Sequence, residues 1–186
     1  VQALVAPGSA CCGAIREHLS DHDGALADAR RNIDAWWPFV APDAPEAHAV
    51  EAIIVNASGC GAMIKEYAHL LRDDPAYAAR AARVVELTRD PAEWLPAELE
   101  RARVPLGAEP GTRVAFHPPC SLQHAQRVRG EVERVLAGAG LTVLPVAESH
   151  LCCGSAGTYS VLQPELSGRL LDRKLAALRA GAPALI

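Results

Sequence analysis

Short apolar runs alternate with longer amphipathic stretches along the whole chain. The runs at residues 3–6, 52–55, 113–117 and 142–146 have the length and aliphatic content of buried strands. Residues 24–35, 61–72, 76–88, 122–139 and 165–179 read as helices. In the last of these, leucines at 166, 170, 171, 175 and 178 predict a single apolar face. Pro164 suits a helix start, and Gly140 suits a helix end. Strands alternating with helices predict an α/β fold with short parallel sheets flanked by helices. Pro91, Pro96, Pro105 and Pro110 mark residues 91–111 as a linker between a segment 1–90 and a segment 112–186.

Composition narrows the partners. Half of the 186 residues are hydrophobic, enough for a sizeable core. The 22 acidic residues outnumber 18 basic ones, for a net charge of −4, and only 4% are aromatic. Neither a phosphate-binding surface nor a base-stacking platform fits that balance, so nucleic acid is not an expected partner. No apolar run approaches the roughly 18 residues that span a bilayer, so no transmembrane segment is expected. The opening lacks a secretory-signal pattern, which predicts a cytoplasmic protein. The start at Val1, the lone Met63 and the apolar ending Gly181-Ala-Pro-Ala-Leu-Ile186 predict a piece of a longer chain.

The chemistry sits in six cysteines: Cys11, Cys12, Cys60, Cys120, Cys152 and Cys153. Two are adjacent pairs followed by glycine, Cys11-Cys12-Gly13 and Cys152-Cys153-Gly154. Neighbouring cysteines seldom bridge, because the ring they close is strained. Cys60 follows the apolar run 52–55, and Cys120 follows the run 113–117. Both stand where a strand gives way to a helix, the place where α/β folds put ligand sites. A core thiol would sit inside the apolar run instead.

The spacing repeats. A Cys-Cys-Gly, a helical stretch, a strand and a cysteine turn make up the first copy. The second begins at Cys152 and reaches the apolar Ala184-Leu-Ile186, which aligns with Ala52-Ile-Ile54. The complete unit reads cysteine, then Cys-Cys-Gly, then cysteine, so a further cysteine is expected beyond each end. Adjacent thiolates suit one small ion poorly, whereas a polynuclear cluster lets each sulfur reach its own iron. Soft thiolates without histidine or carboxylate companions rank an iron–sulfur cluster first, zinc second, and redox or structural thiols third. His117 and His150, close to cluster cysteines, could bond a sulfur or ligate, although a turn histidine bonded to backbone is the default. Ser155, Thr158 and Tyr159 could donate to cluster sulfides or cap the loop. Trp36 and Trp37 read as core or partner contacts.

Paired Cys-Cys-Gly units resemble the cysteine-rich CCG domain of heterodisulfide reductases and related electron carriers. Five stretches carry a closer resemblance, to the iron–sulfur subunits of bacterial glycolate oxidases. They are Gly8-Ser-Ala-Cys-Cys-Gly-Ala14, Asn32-Ile-Asp-Ala-Trp-Trp37, Ala57-Ser-Gly-Cys-Gly61 with Lys65-Glu-Tyr67, Leu122-Gln-His-Ala-Gln126, and Ser149-His-Leu-Cys-Cys-Gly-Ser-Ala-Gly-Thr-Tyr159. The resemblance implies that Cys11, Cys12, Cys60, Cys120, Cys152 and Cys153 bind iron–sulfur clusters, of the 4Fe-4S type. It implies a partner subunit carrying FAD that oxidises glycolate to glyoxylate, further iron–sulfur and flavin subunits, and electron transfer towards a membrane acceptor. Peripheral attachment at the inner face of the plasma membrane would come through that complex, and no substrate-carbon chemistry would occur on this chain. Three departures bear on this: the ferredoxin-type Cys-x-x-Cys-x-x-Cys runs of the family are absent, each unit lacks one ligand element, and Ala57 stands where related reductases carry a cysteine. The alternatives are a CCG-domain subunit that cleaves disulfides and a zinc-stabilised interaction module.

Overall fold

The computed structural model describes residues 2–46, 49–103, 107–109 and 111–186. The chain folds as two compact units, one up to Pro91 and one from Ala92 onward.

In the first unit, α1 (Ala14–His18) and α2 (His22–Val40) precede β1 (Ile53–Ile54). Then come α3 (Ser58–Lys65), α4 (Tyr67–Leu70), α5 (Ala78–Leu87) and β2 (Thr88–Arg89). Asp21 starts α2 by accepting the Gly24 N–H at 3.1 Å, which satisfies one of the donors a helix start leaves open. The inward face of α2 then sets Ala25, Ala29, Ile33 and Val40 against Tyr67, Leu71, Ala81 and Val84. Full burial of Ile33 and Leu71 contributes roughly 1.5–3 kcal/mol each. β1 and β2 pair in parallel, Ile53 opposite Thr88 and Ile54 opposite Arg89. Parallel pairing needs a long return path, which α3, α4 and α5 provide.

The second unit holds α6 (Pro91–Ala102), which begins at the boundary residue, β3 (Arg113–Val114) and a π-helical turn at Ser121–Ala125. α7 (Glu131–Gly138), β4 (Thr142–Val143), α8 (Tyr159–Leu162) and α9 (Pro164–Arg179) follow. β3 pairs in parallel with β4, Arg113 opposite Thr142 and Val114 opposite Val143. On its other side it meets the chain end, where Val114 bridges Leu185 and the Ala115 N–H reaches the Leu185 carbonyl at 3.0 Å. The alignment of 184–186 with 52–54 thus joins two segments that both pair in parallel. Ala92, Leu122 and Val128 form a smaller core with Val132 against it.

The α/β architecture, with two short parallel sheets between helices, agrees with the sequence reading; several elements differ. Residues 3–6 form no strand. The single helix expected over 122–139 is two pieces, because Arg127 takes φ 59° and Gly130 φ 78°, and the chain turns back so that the Val128 N–H donates to the Leu122 carbonyl. Residues 91–102, read as linker, form α6: Pro91 occupies the helix start, where a missing N–H costs nothing, and Pro96 is accommodated inside. Pro105 and Pro110 lie outside the described residues. The leucine face of α9 is also only partly inward, with Leu166 and Leu171 about half exposed and Lys174 and Leu178 buried.

Candidate metal centre

The first cysteine pair lies in the loop that presses on α2. Gly13 takes φ +85°, and a Cβ there would stand 3.1 Å from the Ala25 carbonyl oxygen and 3.2 Å from Ala25 Cα. Both the left-handed backbone and the close approach require glycine. The Gly13 N–H donates to Cys11 Sγ at 3.5 Å. Asn32, fully buried on α2, grips the loop: its carbonyl accepts the Ala10 N–H and its amide donates to the Cys11 carbonyl, both at 2.8 Å. The Tyr67 hydroxyl donates to the Cys12 carbonyl at 2.9 Å and accepts from Asn32 at 3.2 Å. Two buried side chains therefore fix the loop backbone and leave its thiols free to point elsewhere.

Cys60 comes to this loop from the first turn of α3, immediately after β1. It packs against the core cluster that contains Cys12, and Cys60 and Cys11 are both close enough to act on the Cys12 thiol. Burial pushes the Cys12 thiol up to about 11, the Cys60 and Cys11 thiols add to that, and the Ala14 N–H works the other way. Cys12 is buried, Cys60 half-buried and Cys11 exposed.

The second unit repeats the device with different supports. Gly154 takes φ +87°, and a Cβ there would fall 2.4 Å from the Ser167 carbonyl oxygen on α9. Its N–H donates to Cys152 Sγ at 3.3 Å, and the Ser167 hydroxyl donates to its carbonyl at 2.9 Å. Cys120 stands at the start of the π-helical turn, close enough to Cys152 and Cys153 for their thiols to act on its own. Gln123 ties the two loops together by donating to the Pro118 carbonyl at 3.0 Å and the Ser149 carbonyl at 3.1 Å. Lys174, 4% exposed, donates to the carbonyls of Glu148 at 2.9 Å and Ser149 at 3.2 Å. Burial and then the Cys152 and Cys153 thiols raise the Cys120 thiol, while the Lys174 charge lowers it.

The structure thus brings Cys12 to Cys60 with Cys11 beside them, and Cys120 to Cys152 with Cys153 beside them. All six are free thiols. Among the described residues no three histidine, cysteine or carboxylate side chains are gathered to hold one metal ion. A tetrahedral zinc site with bonds of about 2.3 Å would need sulfurs roughly 3.8 Å apart, whereas a polynuclear cluster spreads its anchors over several irons. The donor set, all sulfur with backbone N–H groups aimed at Cys11 and Cys152, fits an iron–sulfur cluster. His117 Nδ1, buried without a hydrogen-bond partner among the described residues, offers one more polar atom beside the second trio. Burial, then Lys174, lowers the basicity of His117.

Other candidates fall into place. Ser155, Thr158 and His150 are exposed. Trp36 donates to the Ser9 hydroxyl at 2.9 Å, and Trp37 lies under the Arg80 guanidinium at 4.7 Å; both pack against the core. Reading residue types alone missed Asn32, Tyr67, Gln123 and Lys174 as supports. The first three lie inside the stretches that carry the family resemblance. Lys174 had a signal too, standing one turn before Leu178 on the inward side of α9.

Residues 1–65 and 114–186 match the CCG cysteine-rich domain. The chain is 46% identical over 187 aligned positions to the glycolate oxidase iron–sulfur subunit of Escherichia coli, a match covering 100% of this chain and 44% of that protein. It is 36% identical to the "Probable glycolate oxidase iron-sulfur subunit" of Bacillus subtilis, covering 98% of this chain and 39% of that protein. Lactate utilization protein A of Exiguobacterium is 29% identical over 95% of this chain and 68% of its own length. The chain therefore spans less than half the length of the two glycolate oxidase subunits it matches. With two Cys-Cys-Gly loops pinned by left-handed glycines, each joined by a thiol from the end of a strand, the chain belongs to the CCG cysteine-rich domain family.

Proposed function

We propose that the protein is the iron–sulfur electron-transfer subunit of a glycolate oxidase-type complex, in which Cys11, Cys12 and Cys60 anchor one cluster and Cys120, Cys152 and Cys153 a second. The observation that carries this reading is the twofold recurrence of one thiol arrangement, a Cys-Cys-Gly loop facing a cysteine at the end of a strand. When bound, 4Fe-4S clusters would accept and release electrons one at a time. The residues of this chain would supply the thiolates, hold the loops in register through Asn32, Tyr67, Gln123 and Lys174, and direct the Gly13 and Gly154 N–H groups at sulfur. Segments 1–90 and 112–186 are then parts of two CCG repeats.

The electrons would come from a partner subunit whose FAD oxidises glycolate to glyoxylate, and would leave towards a membrane acceptor. Similarity to the two glycolate oxidase subunits supports this assignment. None of the described helices is long and apolar enough to cross a membrane; membrane contact of this segment would, in this reading, be peripheral and made through the complex at the inner face of the plasma membrane. The test is to mix the full-length protein anaerobically with its flavin partner, add glycolate, and follow cluster reduction by EPR. Reduction should require both the partner and glycolate. A protein that contains zinc without acid-labile sulfide, or clusters that glycolate never reduces, would remove the assignment.

A further inference from the structure

The Cys-Cys-Gly loop rests on its helix at Ala25 in the first unit and at Ser167 in the second, judged by the backbone that each glycine meets. Counting from those contacts gives equivalent positions along α2 and α9. Seven residues on, the first unit has Asn32 and the second has Lys174. Both are buried, and both point at the backbone of the loop that leads into the cysteine pair. One residue earlier, Arg31 and Arg173 correspond. The same structural task is thus done by a neutral amide in one site and by an ammonium in the other.

The charges around each position sharpen the contrast. Near the first pair the buried acidic side chain is Asp28, 4% exposed and paired with Arg16 and Arg31 at the surface. At the position equivalent to Asp28 the second unit has Leu170. There the surface carboxylate of Glu148 is already paired with Arg173, with Nε to Oε2 at 2.8 Å. Glu148 itself is held at φ 52°, a conformation disfavoured for a residue with a Cβ, with its carbonyl turned onto Lys174. Among the described residues, the Glu148 and Ser149 carbonyls are the hydrogen-bond partners of Lys174, so one of its three protons is left for another acceptor. Lys174 lines the same small cleft as Cys152.

We infer that Lys174 is a positioning residue that sets the two sites apart electrostatically, giving a cluster on Cys120, Cys152 and Cys153 the higher reduction potential of the pair. The inference rests on the reading that both trios hold iron–sulfur clusters. Adding one electron to a cluster makes it more negative while its bonds to the protein stay intact. A buried cation nearby favours that reduced form, whereas a neutral amide supplies no charge, and the Asp28 carboxylate beside it is already offset by Arg16 and Arg31. The electron comes from the reduced flavin of the partner subunit, and at equilibrium a single electron shared between the two sites rests on the second.

The experiment is redox titration by EPR of the full-length protein as Lys174→Gln and Lys174→Arg, with iron and sulfide measured in each. Glutamine keeps a donor for the carbonyls and loses the charge; arginine keeps the charge. Lys174→Gln should lower one midpoint potential and leave the others, while Lys174→Arg stays at the wild-type values. Loss of second-site iron in Lys174→Gln alone, with Lys174→Arg loaded and unshifted, would show that the charge retains the cluster instead of tuning it, and would overturn the inference. Unchanged potentials in a loaded Lys174→Gln, or Lys174→Arg shifting or losing iron as Lys174→Gln does, would overturn the inference. Absence of iron and sulfide from the wild-type protein would instead remove the reading on which it stands.

Discussion

Asn32 and Tyr67 show how a few buried polar groups set the first site. Between them they satisfy the Ala10 N–H and the Cys11 and Cys12 carbonyls. Asn32→Ala should destabilise the protein by about 2–4 kcal/mol, since it strands several polar groups and opens a void. Tyr67→Phe should cost about 1–2 kcal/mol, because the ring still fills its place and only the hydroxyl bonds are lost. Urea denaturation checks the order: equal effects, or a neutral Asn32→Ala, would contradict the assigned roles. A pH effect follows from Cys12. Its thiol is raised to about 11 in the folded state, chiefly by burial, so the folded form holds a proton that the unfolded form gives up near 9. The metal-free protein should therefore keep this contribution below about pH 9 and lose it as pH rises towards 11. Cys12→Ala should flatten that loss in a melting series. The cysteines were legible in the sequence because their turns and pairing are local features. Asn32 and Lys174 were not, since their importance depends on a loop some twenty residues away in the chain.

At the scale of elements, the two loop–helix contacts are the repeated part, and their closeness differs. A Cβ at Gly13 meets Ala25 backbone at 3.1 Å, whereas one at Gly154 would sit 2.4 Å from the Ser167 carbonyl oxygen. Gly13→Ala should cost about 1–2 kcal/mol from its left-handed backbone, plus a modest shift of the loop. Gly154→Ala should cost distinctly more, because the loop must lift off α9 and take Cys152 and Cys153 with it. Iron retention after gel filtration, measured for each variant beside its unfolding curve, tests this. A milder effect for Gly154→Ala would mean that the second loop is not held by α9. The sequence revealed the strand-to-helix junctions before Cys60 and Cys120 through apolar runs ending in glycine or proline. It concealed the break at Arg127, because an arginine in a left-handed conformation leaves no compositional trace. It also concealed α6, because prolines near a helix start look the same as prolines in a linker.

At the scale of the whole molecule, the account is that two copies of one cysteine arrangement, on different supports, hold two iron–sulfur clusters. The repeat was visible in the spacing of the Cys-Cys-Gly units; the charge difference between its halves needed the equivalence of α2 and α9. The three cysteines of each proposed site lie within a single unit, so damage to one site should leave the other loaded. The most direct test is the iron and acid-labile sulfide content of the anaerobically purified full-length protein, compared with its Cys12→Ser/Cys60→Ser and Cys120→Ser/Cys152→Ser variants. Each double variant should lose one cluster's worth of iron together with the matching sulfide, and the two losses should add when the variants are combined. Iron and sulfide unchanged in both, or a loss of zinc with no change in sulfide, would contradict the account.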